Sequence, residues 1–179
     1  MSAVSRLTLV SHAMTEAMAA GRFPADEPLR DTGRQVTALR INDDTRQLAG
    51  PERRTRQTAE LLGLQPVLEP RLADLDCGEW RGTALPDVAP ADLQTWLTDP
   101  GQAPHGGESV VDLVDRVAGW LAGVASQAGR TVAVTHPAVV RAALLVALEI
   151  PPKSFWRIDV APLSRTSLHY RGQRWTLRL

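Results

Sequence analysis

Two short apolar runs, each closed by a histidine, set the strongest limit on how this chain folds. In LTLVSHAMT, residues 7–15, four apolar or β-branched residues precede Ser11 and His12; in TVAVTH, residues 131–136, five precede His136. Continuous apolar runs of this length, cut off by polar residues, suit short strands buried on both faces, as parallel strands are. Each histidine then stands at the C-terminal edge of a sheet. In open α/β folds that edge is where loops and helix N-termini converge on a crevice that binds ligands. If the two strands are neighbours, two imidazoles meet there.

The rest of the chain reads as the same alternation of strand and helix. Residues 13–29, with Gly21, Pro24 and Pro28, predict an irregular loop with a helical start at Thr15. Asp31 or Thr32 can cap a helix over 33–42, and 46–49 suits a second strand. Pro51 suits the first turn of a helix carrying Arg54, Thr58, Leu61 and Leu62, stopped by Gly63. Residues 66–90 form a long connection with a short strand near Val67 and Leu68, and 91–98 a short helix. Glu108 and Ser109 open a long amphipathic helix whose Val110, Leu113, Val114, Val117, Leu121 and Val124 share one face, with Gly129 as its end. After the second apolar run, Pro137 opens a helix through Leu148. The tail from Trp156 alternates apolar and polar residues around Gly172, which predicts an edge hairpin. The fold expected is a three-layer α/β/α sandwich with a mostly parallel mixed sheet, built as a single domain of 179 residues, a length suited to one core.

Composition narrows the function. Hydrophobic residues make up 44% and charged residues 22%, and no apolar run approaches the roughly 18 residues a membrane span needs. A soluble protein without a secretory signal, placed in the cytoplasm, is the expectation. Twenty basic against twenty acidic residues leave no electrostatic footprint for nucleic acid or an anionic membrane, so the expected partner is a small molecule. The oligomeric state stays open, a homodimer included. Cys77 is the sole cysteine, which excludes an internal disulfide and a multi-cysteine zinc site and reads as a small buried residue. Lys153 is the sole lysine, so the basic charge is nearly all arginine, the better bidentate ligand for phosphate. Neither a G-x-x-x-x-G-K-[ST] loop nor a G-x-S-x-G elbow is present.

Paired imidazoles serve as metal ligands or as nucleophile and electrostatic partner. Surrounding arginines favour the second use and an oxyanion, with no metal and no cofactor. Phosphoryl transfer needs an in-line nucleophile, cationic donors on the equatorial oxygens and an acid for the leaving oxygen. His12, Arg54, His136 and an acidic residue can supply these.

The motifs also carry a family resemblance. LTLVSHAMT resembles the strand ending in Arg-His-Gly of the histidine phosphatase superfamily, the phosphoglycerate-mutase-like fold. GPERRTRQTAELLGL is similar to that family's Ser-Pro-Leu-x-Arg-Ala-x-Gln-Thr-Ala helix, and RLADLDCGEWRG to its segment with the acid and a Gly-x-Trp-x-Gly turn. GGES resembles the motif opening the long helix, and TVAVTHPAVVRAALL the second-histidine strand and helix. The five occur in the family's order, from about residue 6 to about 148. The resemblance implies a phosphomonoester hydrolase in which His12 becomes phosphohistidine, Arg54 clamps the phosphate and His136 steadies the transferred phosphoryl. Asp74 stands where the family has its acid, commonly Glu. Arg22 and Glu108 are candidates for the substrate pocket.

The chain also departs from the pattern. Ser11 replaces the arginine of Arg-His-Gly, offering phosphate one neutral hydrogen bond in place of a charged fork; Ala13 and Pro137 replace glycines. The short stretch 77–105 points to a phosphatase rather than a mutase. The rival reading, which Ser11 supports, is a degenerate member that binds a phosphorylated ligand or a protein partner without turnover.

Overall fold

Six strands form one sheet in the order β3-β2-β4-β1-β5-β6, in a computed structural model that describes residues 4–31 and 36–179. They are β1 (Ser5–Ser11), β2 (Arg46–Ala49), β3 (Val67–Leu68), β4 (Gly129–Thr135), β5 (Arg165–Arg171) and β6 (Arg174–Arg178). β1, β4, β2 and β3 run parallel, while β5 and β6 are antiparallel additions at one edge. The two apolar runs are therefore direct neighbours, with Leu7 opposite Thr131 and Ser11 opposite Thr135. This register puts His12 and His136 one residue past matched strand ends.

Each face of the sheet has its own core. Leu7, Leu9, Ala133 and Leu168 face the helices α4 (Val110–Ala125) and α5 (Pro137–Ala147). Val10, Val132, Val134 and Ala49 face Ala59 and Leu62 at α2 (Arg53–Leu61). Strand residues pointing alternately to two helical layers explain why both runs are apolar throughout. α4 starts at a reciprocal cap, in which the Ser109 side chain accepts from the Asp112 amide and the Asp112 carboxylate accepts from the Ser109 amide. Pro137 occupies the first turn of α5, where its missing N–H costs nothing. Two short helices, α1 (Glu16–Ala19) and α3 (Pro90–Thr98), lie in the connections.

Several sequence expectations shift. Residues 36–42 form no helix, and 32–35 lie outside the described residues. Val36, Leu39 and Ile41 pack as irregular chain on the α2 side, held by the Leu39 amide donating to the Leu62 carbonyl at 2.9 Å. Their spacing suits one face of an irregular segment as well as a helix, and tertiary packing decides. α2 begins at Arg53 with Glu52 as its N-cap, so Pro51 and Glu52 belong to the loop before it. α4 ends at Ala125, and Gly129, at φ +115°, opens β4 instead of closing the helix. On α4, Trp120 is fully buried beside the residues expected. The tail hairpin forms as expected, turning at Gly172 and Gln173, both with positive φ. The 3₁₀ segment Pro152–Arg157 was not legible; it seats Phe155 in the core.

Candidate active site

The Ala13 amide, donating to Thr58 Oγ1 at 3.0 Å, ties the loop after β1 to α2. His12 follows Ser11, and its own amide donates to the Thr135 carbonyl at 2.9 Å. The ring is only 3% exposed. Its Nδ1 lies 2.7 Å from the Ala13 carbonyl. A carbonyl only accepts, so the proton sits on Nδ1 and Nε2 keeps its lone pair. Burial, the charge of His136 and that of Arg54 push the His12 pKa down to about 4, against the opposing pull of the Ala13 carbonyl and Asp74. A neutral imidazole with a free Nε2 is a competent nucleophile at neutral pH.

His136 lies alongside, with ring centroids 5.2 Å apart and planes at 69°. Its Nε2 is 2.8 Å from a Glu52 carboxylate oxygen and its Nδ1 is 3.4 Å from Asp74 Oδ2. Only the Nε2 contact is a hydrogen bond; Nδ1, though near Asp74, is buried without a hydrogen-bond partner. Gly50 makes the approach possible, because a Cβ there would stand 2.8 Å from the Leu72 carbonyl oxygen and 3.2 Å from His136 Nε2. Burial alone would raise the Glu52 carboxyl, but the His136 hydrogen bond and charge hold it below its ordinary range.

Arg54, on the first turn of α2, is 2% exposed. Its Nη1 donates to the Ala25 carbonyl at 2.7 Å and its Nη2 to Asp74 Oδ2 at 2.6 Å, with Glu27 4.0 Å away. Its Nε is buried without a partner. A buried guanidinium N–H left unmatched costs about 1–3 kcal/mol or more, and an oxyanion is the ligand that would match it. Asp74 accepts from the Leu75 amide at 2.8 Å through Oδ1, while its own amide donates to Glu52. Burial acts to raise the Asp74 carboxyl; the charges of His136, Arg54 and His12 outweigh it and hold the group ionised below its usual range.

His12, Arg54 and Asp74 line an open cavity. Phe23, Trp96 and Trp156 form much of its apolar wall, and Arg22 and Arg141 also line it. Arg22 is exposed and donates to the Gly82 carbonyl at 3.2 Å. Cys77 is buried there, its thiol pushed up to about 12 chiefly by burial, and so is inert.

Two expected pocket residues stand elsewhere. Ser11 is fully buried, its Oγ has no hydrogen-bond partner, and it is not on the cavity wall; a side chain this short at the strand end does not reach past His12. Glu108 pairs with Arg116, its two oxygens 2.8 Å from Nε and Nη2, and lines a separate open depression with Arg116. Its place just before the Ser109 cap of α4 turns it to Arg116 instead of the cavity. Conversely, Glu52 and Arg141 were not anticipated. Glu52 had a signal, since it occupies the leucine position of Ser-Pro-Leu. Arg141 had none, because helical spacing alone does not show which cavity it faces.

Comparison with known proteins agrees with this architecture. The family model of the histidine phosphatase superfamily (branch 1) matches residues 7–179. Phosphoserine phosphatase 1 of Hydrogenobacter thermophilus is 27% identical over 186 residues, covering 94% of this chain and 88% of that protein. Glucosyl-3-phosphoglycerate phosphatase of Mycolicibacterium vanbaalenii is 36% identical over 127 residues, 63% of this chain and 56% of that protein. The solved structure of mycobacterial hydrolase 2 superposes with a TM-score of 0.82 at 24% identity, covering 100% of this chain and 91% of that one; at this identity it speaks for the fold alone.

Proposed function

The chain belongs to the histidine phosphatase superfamily, and from that premise we propose that it is a metal-independent phosphomonoester hydrolase working through a phosphohistidine on His12. The relatives named phosphatases support hydrolysis of a small phosphorylated substrate. The observation that carries the reading is the union, in one cavity, of a neutral His12 with a free Nε2 and an Arg54 whose buried Nε lacks an acceptor.

In the proposed reaction His12 Nε2 attacks phosphorus and the bond to the leaving oxygen breaks. Asp74 gives that oxygen a proton. Water then attacks the phosphohistidine, Asp74 takes its proton, and phosphate leaves. Arg54 and His136 bear the charge on the phosphoryl oxygens. Asp74 at rest is ionised on Arg54 at 2.6 Å. A dianion drawing Arg54 toward itself weakens that pair and adds negative charge nearby, so the Asp74 pKa rises and the group gains the proton it must deliver.

Ser11 leaves the site short of cation. Arg54 is the one permanent cation paired with the Asp74 carboxylate among the described residues, while Asp74, Glu52 and Glu27 surround it or His136. This makes a slow enzyme the expectation. The deciding experiment is a panel of phosphomonoesters with and without chelator. Hydrolysis that survives chelation and is lost in His12→Ala supports the proposal, and Asp74→Asn should slow alkyl phosphates more than aryl ones, whose leaving groups need little protonation. Binding without any turnover would favour a degenerate ligand-binding member, the reading that the Glu52 contact to His136 also fits.

A further inference from the structure

One cation on the cavity wall is not engaged by the phosphoryl chemistry. Arg141 lies on α5, five residues past His136, and helical side chains lean toward the helix N-terminus, which carries it into the cavity shared with His12, Arg54 and Asp74. Its Nε donates to the Ile158 carbonyl at 2.7 Å. Its guanidinium carbon is 5.7 Å from the ring centroids of both Phe155 and Trp156. These contacts fix its orientation and leave Nη1 and Nη2 unused. Among the described residues it joins no ion pair. Burial disfavours its charged form, with Asp159 and Asp74 pulling the other way.

A half-buried cation without a counter-ion carries a desolvation cost that a bound anion offsets. Its planar fork matches a carboxylate. On the same wall the Trp96 indole N–H is buried without a partner, and the Trp96 and Trp156 rings pack with centroids 4.3 Å apart. Arg54 is anchored to Ala25 and Asp74, whereas Arg141 is anchored to Ile158, Phe155 and Trp156, so different parts of the chain hold the two guanidiniums on one cavity wall.

We infer that Arg141, with Trp96 and Trp156, forms a subsite that receives a carboxylate carried on the leaving group of the phosphomonoester substrate. This rests on the reading of His12, Arg54 and Asp74 as the phosphoryl end. O-phosphoserine and O-phosphoethanolamine differ by one carboxylate and serve as probes. Their equilibrium binding is measured by calorimetry on His12→Ala, which holds an ester without consuming it, and on the same protein carrying Arg141→Ala or Arg141→Lys. Phosphoserine should bind about 10- to 100-fold more tightly than phosphoethanolamine. Arg141→Ala should cut that ratio to within about threefold, and Arg141→Lys, which keeps the charge and loses the fork, should leave an intermediate ratio.

Equal affinities in the His12→Ala protein, or a preference that survives Arg141→Ala in a folded protein, overturns the inference. If the alanine variant does not fold, the lysine variant decides, an undiminished ratio being the adverse result. Binding of both esters with no hydrolysis by the unaltered protein would defeat the phosphatase reading and leave the subsite standing. If neither ester binds, both readings fail.

Discussion

Replacing His12 by asparagine should flatten the acid side of the stability curve. In the native state the ring titrates at about 4 instead of 6.5, first because burial strips water from the cation and then because His136 adds positive charge. In the unfolded chain it takes its proton near 6.5. Between those values the unfolded state binds a proton that the native state refuses, so stability falls as pH falls. The contribution is fully present above about pH 6.5 and lost by about pH 4. The whole interval is worth about 3 kcal/mol, since each tenfold in proton affinity is about 1.4 kcal/mol. The ring is buried, so solvent screening removes little of it.

Urea unfolding at pH 7, 6, 5 and 4.5 for both proteins reads the difference. The unaltered protein should lose about 2–3 kcal/mol more than His12→Asn across that range. His105 and His169 also have lowered pKa values, mainly through burial, but both proteins contain them and their effect cancels. Asp74 and Glu52, held below the ordinary carboxylate range, lose their contribution at lower pH. Curves that stay parallel within about 0.5 kcal/mol would refute the depressed His12 pKa and the burial argument behind it.

Two further predictions concern the shortage of positive charge. Glu52→Gln removes a carboxylate lying 2.8 Å from His136 and should tighten inorganic phosphate binding about tenfold, measured by calorimetry at low salt; weaker binding would show that the carboxylate positions His136 for the anion. Ser11→Arg restores a cation at the strand end and should raise kcat/KM on a generic aryl phosphate by up to about 100- to 1,000-fold. A flat or lower rate in a folded, initially active protein would show that the site has been rebuilt for a different ligand.

The sequence by itself determined the frame. Two apolar runs ending in histidine, Pro137 after one and the arginine helix after β2 placed the strands and the helices behind them and marked His12, Arg54 and His136, because strand periodicity and helix capping are local; Asp74 came only from the family resemblance. What no local pattern carried was side-chain direction in the loops and the partner each charge finds. Glu108, just before the cap of α4, reads as a pocket residue, yet Arg116, eight residues on, pairs with it. Ser11 reads as a phosphate ligand by position, yet its Oγ is buried off the cavity wall. Glu52 meets His136 across 84 residues, and Arg141 meets the chain at Ile158, Phe155 and Trp156. Such pairings depend on distances set only when the sheet and its two helical layers have closed; an electrostatic contact falls off with separation in space, and separation in sequence does not report it.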